Sequence, residues 1–204
     1  MPRKTFALAV IDSGGANIGS VCYALERLGV TPELVSDPRR LVLAERAILP
    51  GVGAAKPAMA RLQSLGMIPA LHDWHRPLLG ICLGMQLLFD HSEEGEVELL
   101  SLIPGRVRKM QDAPGIRIPH MGWNGLQSTR EHVLMAGIEP DAQAYFVHSY
   151  AADVSPFTLA SSEHGQPFTA LVQRGNVAGA QFHPERSAQV GARILQNFLT
   201  WDGQ

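Results

Sequence analysis

The sequence predicts an α/β fold in which an open, mostly parallel sheet is flanked by helices and carries added antiparallel strands. Three observations point there. Over the first hundred or so residues, short apolar runs alternate with longer segments of helical period, the pattern of strand and crossover helix. Farther along, short strand-like runs are joined by turn-rich pieces, which suits antiparallel additions. Near the end, Val190, Ile194, Phe198 and Trp201 recur at helical spacing and predict a helix that covers one face of the sheet.

In chain order, the first strands are expected at residues 6–11, 33–35, 46–49 and 77–81, with helices at 18–28, 56–65 and 85–90 between and after them. The helix at 18–28 carries Ile18, Val21, Cys22, Leu25 and Leu28 on one stripe and is closed by Gly29. Later strands are expected at 106–110, 144–147, 157–160, 170–173 and 177–182, and the last helix at 187–201. The segment EHGQPF reads as a hairpin turn. With no internal repeat, linker or low-complexity tract, residues 1–204 are expected to form one domain.

Composition removes several classes of function. The net charge of -2 gives no basic field for nucleic acid or an anionic membrane surface. Basic residues precede the first apolar run, but that run stops at Asp12 with no small-residue cleavage pattern, so a buried strand is expected rather than a signal peptide. No segment reads as membrane-spanning. The two cysteines, Cys22 and Cys82, offer neither a disulfide framework nor zinc spacing, and a cytoplasmic location is expected. His72 and His75 lack a nearby third ligand, so no metal site is expected there, and His91, His132 and His164 are expected at the surface.

The stretch GICLGMQLLF places Cys82 between two glycines, after an apolar strand and before a helical run. This is the grammar of a nucleophile elbow, in which glycines flank a strained turn because a Cβ would crowd the backbone. The turn projects Cys82 from the carboxyl edge of the sheet and frees the Leu83 N–H for an oxyanion. Placement at a helix N-terminus also favours thiolate. Cys22, within a helix stripe and without such glycines, reads as core.

A cysteine nucleophile needs a base to move its proton and a carboxylate to orient that base. AGAQFHPERS offers His183 and Glu185, which would project to one side if the strand continued through them, although Pro184 argues that it ends there. In ILPGVGAA, the glycines after the third strand are either an ordinary turn or a second contributor to an oxyanion hole beside Leu83. DSGGAN resembles a phosphate loop but lacks the Lys-Ser/Thr of a P-loop, and Ala16 stands where a dinucleotide motif needs glycine. In HMGWN, Met121 and Trp123 occupy a loop-like stretch, and Trp123 is either a core plug or an interface anchor.

PGVG, GICLGMQ and QFHPERS, in this order and spacing, resemble the class I glutamine amidotransferases, a family with a Cys-His-Glu triad. IPHMGWN and YFVHSY further resemble the glutaminase subunits of imidazole glycerol phosphate synthases, and the likeness runs nearly the full chain. The resemblance implies hydrolysis of glutamine to glutamate and ammonia, with no cofactor. Ammonia would pass to a separate (β/α)8-barrel cyclase subunit that forms imidazole glycerol phosphate and AICAR in histidine biosynthesis.

Carried onto this sequence, the resemblance makes Cys82, His183 and Glu185 the triad, and Gly51, Val52 and Leu83 the oxyanion donors. Gln86, His148, Ser149 and Tyr150 are then candidates to hold the amino-acid end of the substrate, and Trp123, Asn124 and Tyr145 to face the cyclase. Two segments depart from the family pattern. Asp12-Ser13-Gly14-Gly15-Ala16-Asn17 stands where Asp-Tyr-Gly-x-Gly-Asn is frequent, and Ala55 where a bulkier residue is common. Three other readings share parts of this pattern: the amidotransferase subunit of an anthranilate synthase or related complex, a free-standing glutaminase or γ-glutamyl hydrolase, and a silent docking subunit. HMGWN with FVHSY weighs against the first, and intact triad residues weigh against the last.

Overall fold

A computed structural model describes residues 5–15, 17–112 and 114–204. The basic stretch at 1–4 and Ala16 of the first glycine turn lie outside the described residues. The first half runs β1 (Phe6–Ile11), α1 (Ile18–Arg27), β2 (Glu33–Val35), α2 (Pro38–Leu41), β3 (Ala44–Gly51), α3 (Ala55–Ser64), α4 (Met67–His72), β4 (Leu78–Cys82) and α5 (Leu83–Gln86). Short strands β5 (His91–Ser92), β6 (Val97–Glu98) and β7 (Arg106–Lys109) follow, then β8 (His120–Gly125), β9 (Gln127–Ser128), β10 (Gln143–His148) and β11 (Tyr150–Ala152). The chain ends with β12 (Thr158–His164), β13 (Gln166–Arg174), β14 (Val177–Ala180) and α6 (Ala188–Thr200).

The main sheet has eight strands in the order β2-β1-β3-β4-β14-β13-β12-β9. The first five are mutually parallel, and β13, β12 and β9 extend the sheet antiparallel. Apolar side chains alternate between its two faces. Leu8, Val10, Ile48, Leu79 and Ile81 pack with Val21 and Leu25 of α1 and Ile194 and Phe198 of α6. Ala9, Ile11, Ala47, Leu49 and Leu78 pack with Leu62 of α3 and Met67 and Leu71 of α4 on the other face. Burial on both faces explains why these strands read as continuous apolar runs.

Several elements differ from the sequence expectation. The helix expected at 85–90 ends at Gln86, because the carbonyls of Leu87, Leu88, Phe89 and Asp90 accept N–H bonds from residues 99–103 instead of continuing the helix. HMGWN is not a loop: it lies in β8, paired antiparallel with β10 in a separate two-stranded ribbon. The strand expected at 177–182 stops at Ala180. His91 is buried beside Glu96 rather than at the surface, and His132 and His164 are half-buried, whereas His72 and His75 are exposed. Cys22 packs against the core as expected, and EHGQPF is the β12–β13 hairpin.

The tightest packing lies at the β4–α5 turn. A Cβ on Gly84 would sit 1.8 Å from the Leu49 carbonyl oxygen, and one on Gly80 2.5 Å from the Gly84 carbonyl oxygen. These are backbone contacts that cannot yield. Gly84→Ala is therefore expected to lower the unfolding free energy by about 3 kcal/mol or more. Gly19→Ala, in α1 with no atom of the described residues outside its own helix backbone within 4 Å of the new methyl, should instead raise it by roughly half a kcal/mol. Denaturant titration of the two variants checks this contrast.

Candidate active site

The carboxyl ends of the parallel strands converge on one cavity of about 290 Å³, the expected ligand position in an open α/β sheet. Its wall includes Val52, Gly53, Cys82, Leu83, Gln86, Glu94, Pro119, Val147, His148, Ser149, Tyr150 and His183. Cys82 ends β4 at φ 53° and ψ -111°, a left-handed conformation rare for a side-chain-bearing residue. Leu83 opens α5, so its N–H is among the first-turn donors that no helical carbonyl reaches. With α5 reduced to a single turn, the helix contributes less charge to the thiol than its sequence suggests.

Gly51 pairs in register with Cys82 across β3 and β4, which brings the Gly51–Val52 peptide alongside Cys82. Val52 lines the cavity, whereas Gly51 is buried behind it. The first glycine turn buttresses this strand end. The Ser13 hydroxyl donates to the Pro50 carbonyl, and a Cβ on Gly15 would lie 2.9 Å from the Val52 side chain.

His183 follows β14 and is anchored at both ends. Its N–H donates to the Tyr145 carbonyl at 2.9 Å, and its carbonyl accepts from the Arg186 N–H and the Ser187 hydroxyl. A 3₁₀ turn at Pro184–Arg186 then brings Glu185 back, so turn geometry and not strand alternation makes the pair. Glu185 Oε1 lies 2.8 Å from His183 Nδ1 and accepts from Asn17 Nδ2 at 2.7 Å. Nδ1 is thereby occupied, which leaves Nε2 for Cys82.

Burial opposes charge on both members of the pair, but their partners prevail. For His183, burial lowers the pKa, while hydrogen bonds and charge from Cys82 and Glu185 raise it, to about 10 in all. For Glu185, the His183 imidazole and the Asn17 amide outweigh burial and hold the carboxyl below its ordinary range. The site thus favours an imidazolium at His183 paired with the Glu185 carboxylate.

The structure brings His148, Ser149 and Tyr150 to the wall of the same cavity. Gln86 also lines it, but its amide nitrogen is committed to the Tyr150 carbonyl at 2.8 Å and Gln181 Oε1 at 3.0 Å. On the outer face of the β8–β10 ribbon, Trp123 and Tyr145 form an edge-to-face pair with centroids 5.9 Å apart, and Met121 and Trp123 are 64% and 52% exposed. Asn124 turns to the inner face, where its amide donates to the Glu163 carbonyl at 2.7 Å. It stands behind Trp123 rather than beside it.

Three polar residues were not singled out from the sequence. Asn17 precedes α1 at a capping position but makes no side-chain cap, reaching Glu185 instead across 168 residues of sequence. Glu94 is the carboxylate of the cavity wall and accepts the Ala55 N–H at 2.8 Å. Gln181 Nε2 stands 3.9 Å from the Cys82 sulfur. Only the residue type of Asn17, common at helix starts, gave any local signal.

Because Cys82 contributes to the raised pKa of His183, Cys82→Ala should shift that titration downward. An NMR pH titration of labelled imidazole checks this, and an unchanged midpoint would show that the thiol does not act on the ring.

The glutamine amidotransferase class-I family model matches residues 9–201. The imidazole glycerol phosphate synthase subunit HisH of Xanthomonas axonopodis pv. citri is 62% identical over 192 residues, covering 94% of this chain and 96% of that one. The subunit of the same name from Xylella fastidiosa strain 9a5c is 60% identical over 195 residues, covering 96% and 98%. Among solved structures, a glutamine amidotransferase superposes with a TM-score of 0.74 at 19% identity over 95% of this chain and 97% of that one. PurLQS from Thermotoga maritima gives 0.68 at 21% over 96% and 98%. At such identities the structures establish the fold; the family model and the close relatives, spanning nearly the whole chain, establish descent. This chain belongs to the class I glutamine amidotransferases.

Proposed function

We propose that this chain is the glutamine-hydrolysing subunit of an imidazole glycerol phosphate synthase, acting in histidine biosynthesis. The observation that carries the reading is identity above 60% to subunits of that name across nearly the entire chain. The cavity holding Cys82 and His183 supplies chemistry to match.

The Cys82 thiolate attacks the glutamine carboxamide carbon, and the carbonyl oxygen becomes an oxyanion met by the Leu83 N–H and an N–H from the Gly51–Val52 peptide. His183, protonated and oriented by Glu185, gives its proton to the leaving nitrogen, and ammonia departs as the glutamyl thioester forms. The now neutral ring takes a proton from water, whose hydroxide attacks the thioester. Collapse releases glutamate and restores the thiolate–imidazolium pair. Asn17 positions the Glu185 carboxylate throughout.

His148, Ser149 and Tyr150, with Gln86 behind them, form the wall for the amino-acid end of glutamine, and Glu94 offers a carboxylate to its α-ammonium. Met121, Trp123 and Tyr145 form the docking face for a cyclase subunit, with Asn124 bracing it from within. The cyclase receives the ammonia and carries out the ring-forming step, so lyase chemistry resides there. The active species is then a heterodimer in the cytoplasm, with residues 1–204 acting as one domain. Among the described residues no helix is long and apolar enough to cross a membrane, and no cluster of ligating side chains could hold a metal ion.

In a complex with a cyclase subunit, Cys82→Ala is expected to abolish synthesis from glutamine, a loss of about 10³-fold or more. Synthesis from supplied ammonium should remain near the wild-type rate. Imidazole glycerol phosphate formation with each nitrogen source checks both, and retained glutamine-dependent synthesis would remove Cys82 as the nucleophile.

A further inference from the structure

Behind the proposed substrate wall lies a buried polar assembly that takes no part in the proton transfers. His148, on β10, has Nδ1 2.9 Å from the Tyr150 carbonyl oxygen and Nε2 3.0 Å from His120 Nδ1. His120, on β8, has Nε2 3.3 Å from Asn124 Nδ2. Both imidazoles are buried, at 6% and 3% exposure.

The end of the chain fixes its direction. A carbonyl oxygen only accepts, so His148 carries its proton on Nδ1, and a neutral His148 must accept at Nε2. His120 then carries its proton on Nδ1 and accepts at Nε2 from the Asn124 amide. The opposite end agrees: Asn124 Oδ1 accepts the Gly125 N–H at 2.9 Å, and its nitrogen also donates to the Glu163 carbonyl, so the amide cannot be reversed. Beyond Tyr150, Gln86 donates to the same carbonyl and to Gln181, whose amide nitrogen approaches the Cys82 sulfur. The bonds therefore run from the strand that bears Trp123 to the neighbourhood of the nucleophile.

We propose that His120 and His148 are positioning residues: acting with Asn124 through the Tyr150 carbonyl, they fix the cavity wall that grips the amino-acid end of the substrate and tie that wall to β8. The inference rests on the glutaminase reading for its substrate, and on the bonds above for its chain. Electrostatics agree with the direction assigned. Burial draws His148 down to about 3, with His120, His164 and His183 adding repulsion against a bond from Tyr150 that favours charge; burial and nearby His164 draw His120 down to about 4. Both rings are neutral at pH 7, as the chain requires, since another proton on either would set N–H against N–H. His164 stacks on His120 with centroids 4.1 Å apart and holds the ring in plane.

Two measurements test this. Long-range proton–nitrogen correlation of the imidazoles, on the whole labelled chain at pH 7, is expected to show the Nδ1–H tautomer at both His120 and His148. An Nε2–H tautomer or an imidazolium at either overturns the chain, whatever the substrate. In the complex with a cyclase subunit, His120→Phe keeps the aromatic packing but removes both nitrogens, and KM for glutamine should rise about tenfold with a smaller change in kcat. His120→Asn, which places an amide donor near the Nδ1 position, should recover most of that loss. A KM for His120→Phe equal to wild type, or no recovery by His120→Asn, overturns the positioning role. If His120→Phe does not fold, the tautomers alone decide. A wild-type complex that hydrolyses no glutamine would defeat the glutaminase reading and leave the tautomer test standing.

Discussion

The site depends on one backbone contact, the closure of the β4–α5 turn onto the end of β3. Gly84 touches the Leu49 carbonyl, and a Cβ on Gly51 would lie 3.0 Å from the Gly84 N–H nitrogen, so neither strand end can shift without the other. Cys82 is thereby held in a backbone conformation that costs about 1–3 kcal/mol and persists only where its surroundings over-determine it. Pairing of β4 with β3 on one side and β14 on the other supplies that constraint. The same contact sets the separation between the thiol and the candidate oxyanion peptide.

Placing β14 beside β4 brings the second half of the site into reach. Its register carries the chain from Ala180, opposite Ile81, into the turn that presents His183 and Glu185 to Cys82. The ribbon of β8 and β10 is then bonded directly to that turn: the Tyr145 carbonyl accepts the His183 N–H, and the Tyr145 N–H reaches the Ser187 hydroxyl. The ribbon face of Trp123 and Tyr145 and the His183 imidazole thus share one direct backbone connection. On the proposed function, that connection would give a partner docked on this face a short path to His183.

The parts legible in the sequence were those written in local pattern. Strands at 6–11 and 33–35 were placed at their observed bounds, and the glycines around Cys82 announced a turn with no space for side chains. What was hidden depends on partners distant in sequence. The run after Gln86 has helical composition, yet its carbonyls are taken by residues 99–103. HMGWN looked irregular because its pairing strand begins at Gln143 and Gly122 interrupts its pattern. Asn17, Glu94 and Gln181 carry ordinary local roles until folding brings them to Glu185, the α3 start and Cys82. His91 gave no sign of burial, because it lies in a small sheet of strands two to four residues long.

The catalytic assignment turns most directly on which sulfur carries the glutamyl group. Rapid quenching of the glutamine-turning-over complex with a cyclase subunit, followed by peptide mass spectrometry, reads this in a chain with just two cysteines. A glutamyl thioester is expected on the peptide containing Cys82 and should disappear in His183→Ala. An adduct on Cys22, or an unchanged adduct level at Cys82 without the imidazole, would contradict it.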